Sequence, residues 1–152
     1  MKLLRLAPQT AAYKAGFTHK AIFTFADVTA TGALNVPLVP TVSTKYLPVG
    51  SSVRKVSRRL VTAFGGGTCS AITVAVGDVA SATQYLGATT VFTGQTTGDA
   101  SQVEAAETTK KTYTSATEQV RAQFNATTGV PTAGELHVFL SITNDAELVR
   151  PA

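Results

Sequence analysis

The sequence has no tryptophan and a single cysteine, Cys69. A lone thiol cannot close an intramolecular disulfide, and a metal site built on paired cysteines is excluded with it. Stability must therefore come from packing. Charged residues make up 14% of the chain, well under the roughly one quarter usual in soluble domains. Much of the surface must then be Thr, Ser, Ala, Gln and backbone, a kind of surface that suits packing against other protein. Long apolar runs are also missing. No stretch approaches the ~18 residues that a membrane-spanning helix needs, so no membrane partner is expected and the chain reads as soluble. The opening "MKLLRLAPQTAAYKAG" carries a basic residue and several leucines, but Arg5 and Pro8 break it too early for the core of a secretory signal.

In contrast, β-branched residues are abundant: 25 Thr and 17 Val in 152 residues, against 11 Phe and Tyr together. Two heavy atoms on Cβ restrict χ1 and fit a pleated surface better than a helix. The composition therefore reads as all-β. A chain of this length is about one domain, able to bury a continuous core without staples. Its net charge of +4 is modest, and the clustering of the cations says more than their sum.

Along the chain, residues 1–18 lack sustained periodicity and read as an N-terminal arm or lead-in strand, with the folded domain occupying 19–152. "KAIFTFADV" reads as a strand with Phe23 and Phe25 on one side, and "ALNVPLVPTV" as a second. Pro37 and Pro40 cannot donate ladder hydrogen bonds, which makes that second strand an edge or an interrupted one. Pro48 and Gly50 mark a turn, and "FGGGT" a sharp reversal. "CSAITVAVG" alternates, with Ile72, Val74 and Val76 on one face, and "ATTVFTG" reads as a further strand. Residues 95–110 have the polarity of a long loop, with a helical turn near Val103 to Ala106. Loops of that length in compact domains usually serve function or assembly. In "EQVRAQFNATT", Val120, Ala122, Phe124 and Ala126 face one way and Arg121, Gln123 and Asn125 the other, as in a half-buried antiparallel strand. "ELHVFLSIT" turns Leu136, Val138, Leu140 and Ile142 inward, and a short polar tail follows. About eight strands joined by Gly, Pro and Ser turns predict an antiparallel β-sandwich, a jelly roll with an N-terminal arm.

One segment raises a separate question. "SSVRKVSRRLV" sets Arg54, Lys55, Arg58 and Arg59 among Val53, Val56, Leu60 and Val61. The apolar spacing suits a helix, but cations would crowd the positive end of the helix dipole and no acidic residue opens the first turn. A long strand with a bulge or strong twist is preferred. In an extended strand Arg54 and Arg58 share one face and Lys55 and Arg59 the other, so no continuous phosphate track results. There is no interleaved aromatic platform for stacking bases either. Nucleic acid is not expected as a partner. Two readings stay open for these four residues: ordinary solvated charges, or contact with acidic patches on a protein partner.

Catalytic signals are thin. Cys69 sits in a turn and reads as a small buried thiol rather than a nucleophile. His19 and His137 have no ligand spacing, and His137 should point outward from its sheet. Glu104 and Glu107 would share a face on a helical turn, but in a polar loop they read as solvated. Gly65, Gly66 and Gly67 lack the Lys-Ser/Thr ending and following helix of a phosphate loop, and read as a turn. The "NAT" at 125–127 matches a glycosylation acceptor but falls on a predicted strand. No catalytic, cofactor-binding or metal-binding residue is assigned, and the chain is not expected to be an enzyme.

The run "LPVGSSVRKVSRRLVTAFGGGTCSAITVAVGD" resembles a pattern in jelly-roll virion proteins of tailed bacteriophages, the head decoration or cement proteins. That pattern is a Pro-x-Gly turn, a Val-rich strand ending in Thr-Ala-Phe, a Gly-Gly-Thr turn and an alternating Thr-Val-x-Val-Gly strand. "YLGATTVFTG" and "GELHVFLSIT" are similar to the later strands of those proteins, and the resemblance spans about residues 20–143. It departs from the pattern in the middle of the Val-rich strand, where "RKVSRR" is more polar than usual. The resemblance implies a homotrimer on the outer surface of a phage head, bridging copies of the major capsid protein, without cofactor or small-molecule substrate. Arg54, Lys55, Arg58 and Arg59 are then candidate shell-contact residues, and the arm and the loop near 95–110 candidate contact segments. The alternative is a head-fibre or tail-associated virion protein that binds a host receptor or glycan, a reading weakened by the absence of tryptophan for sugar stacking.

Overall fold

In the computed structural model, described for residues 2–5, 16–38, 51–94, 102–103, 111–112 and 120–144, the alternating segments become strands of two packed sheets. The described strands are β1 (Lys2–Arg5), β2 (His19–Thr24), β3 (Gly32–Pro37), β4 (Ser51–Gly65), β5 (Ala71–Asp78), β6 (Leu86–Thr90), β7 (Gln102–Val103), β8 (Lys111–Thr112), β9 (Val120–Thr127) and β10 (Ala133–Asn144). One sheet runs β1-β2-β10-β4-β7, with β8 also on β4; the other runs β3-β9-β5-β6. Every ladder between these strands is antiparallel. The pairings nest: β5 with β6, β4 with β7 and β8, β3 with β9, β2 with β10. Such nesting is what a long antiparallel ribbon gives when it is rolled into two facing sheets, the jelly roll that the sequence predicts.

Burial follows the pleat. Val120, Ala122, Phe124 and Ala126 of β9 are buried, as are Ile72, Val74 and Val76 of β5 and Leu136, Val138 and Leu140 of β10. Ile142 packs against the same core. Phe124 joins the layers: its ring lies 5.4 Å from that of Phe23 on β2 and 5.8 Å from that of Phe64 on β4. Edge-to-face and tilted aromatic contacts of this kind add about 0.5–1.5 kcal/mol each beyond the area they bury.

Several details differ from the sequence expectation. Phe25 does not share a face with Phe23, because β2 ends at Thr24 and residues Phe25–Asp27 form a 3-10 turn that leaves Phe25 43% exposed. The turn forms because Asp27 reaches back to the backbone N–H of Thr24 at 2.8 Å, a local bond that competes with the ladder. The expected strand at 88–94 starts earlier, at Leu86, and stops at Thr90. Val103, expected in a helical turn, lies in β7; residues 104–106 are outside the described set. The expected turn at Pro48 and Gly50, Pro40, Gln119, Glu104 and Glu107, most of the loop near 95–110 and the tail also lie outside it. Pro37 does sit on an edge strand.

One glycine is required by close approach. Gly134 has φ +140°, and a Cβ there would meet the Phe64 ring and lie 2.8 Å from Phe64 Cα. It marks the irregular register where β10 begins to pair with β4. Within the expected arm, β1 adds to the edge of the first sheet, Leu4 opposite Lys20, and Phe17 is buried.

Candidate interaction surface

Segment 51–65 is a strand throughout, and an irregularity in its ladder redistributes its cations. Opposite β10, Ile142 aligns with Val53 but Ser141 with Lys55, so Arg54 is an extra residue on β4. A bulge of this kind places two residues where one would stand. Val53 and Val56 are both buried, with exposed Arg54 and half-buried Lys55 between them. Arg54 therefore does not share a face with Arg58, as an unbroken strand would require. Lys55 and Arg59 do share one: by register they alternate with the inward Val56, Arg58 and Leu60.

Arg58 takes the opposite direction. It is 6% exposed, and its guanidinium crosses the interior to the second sheet. Its Nη1 donates to the carbonyls of Val74 (3.1 Å) and Gly87 (3.0 Å), and Nη2 donates to Thr89 Oγ1. The destination explains the path. Between β5 and β6 the register slips: Val74 faces Thr89 but Val76 faces Leu86, leaving Gly87 and Ala88 opposite Ala75. Such a bulge withdraws carbonyls from the ladder, and Arg58 supplies the missing donors. Arg58 Nε has no hydrogen-bond partner, and burial holds the guanidinium below its ordinary proton affinity. As one of the four candidate shell-contact residues, Arg58 lies inside the sandwich, where it ties the two sheets together.

The outward face of the first sheet is consequently basic. Lys20 on β2, Lys55 and Arg59 on β4 and the bulged Arg54 stand around two rings of β10, His137 and Phe139. The ladder sets Lys20 and Ser57 on either side of Phe139, and Ile22 and Arg59 on either side of His137. Neighbouring strands are about 4.8 Å apart, so these side chains share one patch. Lys55 Nζ lies 4.9 Å over the Phe17 ring, which packs on Phe139 at 5.8 Å, while His137 meets Phe139 edge-on at 6.3 Å. Stacking on an aromatic face holds an ammonium in place at a gain of about 0.5–1 kcal/mol at exposed sites. Among the described residues of the patch Glu135 is acidic, its Oε1 2.7 Å from His137 Nε2. The sequence did not single out Lys20 or Phe17. Lys20 is legible from its parity with Ile22, whereas Phe17 precedes any alternating run.

The remaining sequence candidates do not converge. Cys69 is buried, with Sγ 3.5 Å from the Ala71 carbonyl. His19 Nδ1 bonds Thr18 Oγ1 at 2.8 Å. Among the described residues no group of three His, Cys, Asp or Glu is placed to hold a metal ion. Gly66 and Gly67 have positive φ and form the turn from β4 into β5, where Cys69 N–H bonds the Gly66 carbonyl. Among the described residues, no helix is long and apolar enough to cross a membrane.

Among solved structures, the chain is similar to a chain of the cyanophage Pam1 capsid asymmetric unit. The two are 25% identical, the likeness covers 90% of this chain and 91% of that one, and the TM-score is 0.44. No family model and no curated protein matches the chain.

Proposed function

We propose that this protein is a decoration, or cement, protein of a tailed-phage head, docking on the assembled shell through the outward face of its first sheet. The observation that carries the reading is the gathering of Lys20, Arg54, Lys55 and Arg59 on that face, on a jelly roll whose sequence resembles the head decoration proteins. Opposite charge on a shell surface would steer the encounter and fix its register. The mechanism is mechanical. A protein that buries surface only in the assembled lattice stabilises that lattice by mass action, with no reaction. Bridging of neighbouring major capsid proteins, a homotrimeric state and a position on the outside of the head belong to the same reading. So do the arm (1–18) and the folded domain (19–152) as separate contact and scaffold parts.

Co-sedimentation of the purified chain with shells that lack it tests the reading. Binding is expected at low salt and release as salt rises, since exposed charges beyond about 8–10 Å are screened at physiological ionic strength. A folded Arg54→Glu, Lys55→Glu, Arg59→Glu variant should lose at least tenfold in affinity. Wild-type chain that stays in the supernatant at low salt, or a reversed variant that pellets as well as wild type, would overturn it.

A further inference from the structure

Phe17 stands outside the core that the two sheets enclose, yet it is 4% exposed. The residues on either side set its place. Gly16, with φ +90°, turns the chain, a conformation open to glycine. Thr18 then fixes the segment to β10: its N–H donates to the Leu140 carbonyl at 2.9 Å, and its Oγ1 accepts from the Ile142 N–H at 3.0 Å. The hydroxyl takes the part of a main-chain acceptor just before β2 begins at His19. So held, the Phe17 ring lies on Phe139 of β10 at 5.8 Å and under the Lys55 ammonium of β4 at 4.9 Å. Because β10 runs between β2 and β4, a ring entering from the β2 side reaches a cation two strands away.

We infer that Phe17 is a positioning residue for docking: clamped by Thr18 and stacked on Phe139, its ring holds the Lys55 ammonium in the place where a carboxylate of the shell meets it. This rests on the docking reading above and adds an uncharged residue on which docking depends. What the ring supplies is pre-organisation. A lysine side chain has a flexible four-carbon stem, and ordering it at an interface costs rotamer freedom. A stem already drawn over a ring has lost part of that freedom before the partner arrives. The ring attracts the ammonium through its quadrupole and accepts no directed N–H bond, so it does not compete with a carboxylate for the same donor. For one such side chain the ordering cost avoided corresponds to about threefold to tenfold in affinity. An aliphatic residue at position 17 would still bury against Phe139, but it has no quadrupole to hold the cation.

Free and docked chain are read separately. In proton NMR of the free full chain, the ring current should place the Lys55 Cε protons upfield of their position in Phe17→Leu, with Phe17→Tyr like wild type. In co-sedimentation with shells that lack the chain, Phe17→Leu should bind about threefold to tenfold more weakly than wild type. Its salt dependence should keep the wild-type slope, because no charge is lost. Phe17→Tyr should bind as wild type does. In a Lys55→Met background the Phe17→Leu change should cost nothing further, whereas a ring that serves only the fold would cost the same in both backgrounds. Should Phe17→Leu fail to fold by circular dichroism, Phe17→Met takes its place throughout.

The outcomes separate the two claims. Lys55 protons that do not move between wild type and Phe17→Leu, a folded Phe17→Leu chain that binds as well as wild type, or a loss that persists undiminished in Lys55→Met would each overturn the inference and leave docking standing. Wild type that binds no shell at any salt overturns docking, and the inference with it.

Discussion

Replacing Arg58 by Met tests what the buried cation does. Met keeps the length of the side chain and removes its charge and donors. The structure gives two charge-assisted bonds to backbone carbonyls, those of Val74 and Gly87, and a third to Thr89 Oγ1. The two backbone bonds are worth about 3–6 kcal/mol together at roughly 1.5–3 kcal/mol each. Removing the partnerless Nε returns about 1–3 kcal/mol. Arg58→Met should therefore destabilise the fold by roughly 2–4 kcal/mol, and Arg58→Ala, which also leaves a cavity, by more. Buried ion pairs can often be replaced by apolar residues without loss, but there both partners leave. Here the acceptors are main-chain carbonyls and stay behind. Urea unfolding should show a lower midpoint with an unchanged slope, and the melting temperature should fall by about 5–15 °C at this chain length. Hydrogen exchange adds a local readout: the amides of β6 around the bulge should lose protection first. An Arg58→Met chain as stable as wild type, with β6 exchange unaltered, would refute the claim that the guanidinium holds the bulge.

Other substitutions probe other parts of the account. Gly134→Ala puts a Cβ against Phe64 at a residue with φ +140°, and should cost about 2–4 kcal/mol from overpacking and backbone strain, read by thermal melting. Asp78 is fully buried, and its Oδ1 accepts from the N–H groups of Ala80 (2.9 Å) and Ser81 (2.8 Å), so Asp78→Ala should cost about 2–4 kcal/mol and loosen the loop after β5 in hydrogen exchange. Lys20→Glu alone should weaken shell binding and flatten its salt dependence while leaving the unfolding midpoint within about 0.5 kcal/mol of wild type.

The alternating strands were legible because one face of each is buried. β9 and β10 keep strict parity over their central residues, β5 does so only up to Val74 before Ala75 is buried as well, and each inward residue named from the sequence is in the core or packed against it. β4 was harder. Its bulge at Arg54 shifts the pattern by one residue, so buried positions 53, 56 and 60 imitate a helical period although the backbone is extended. Arg58 defeats pattern reading for a different reason. Its parity with Val56 and Leu60 is correct for the interior, but a cation there makes sense only once the β5–β6 bulge supplies carbonyls, and that bulge has no signal in β4. The grouping of Lys20 with Lys55 and Arg59 was invisible for a topological reason. It depends on β10 lying between β2 and β4, a placement made by the roll of the sheets rather than by any local spacing.

The central claim is that the basic face of the first sheet meets the outside of a phage head. Electron microscopy of intact virions, at a resolution that orients the two sheets, tests it most directly. The account predicts density for this chain on the head surface with Lys20, Arg54, Lys55 and Arg59 turned toward acidic residues of the shell. Density at a tail position, no density on the head, or the second sheet turned toward the shell would contradict it.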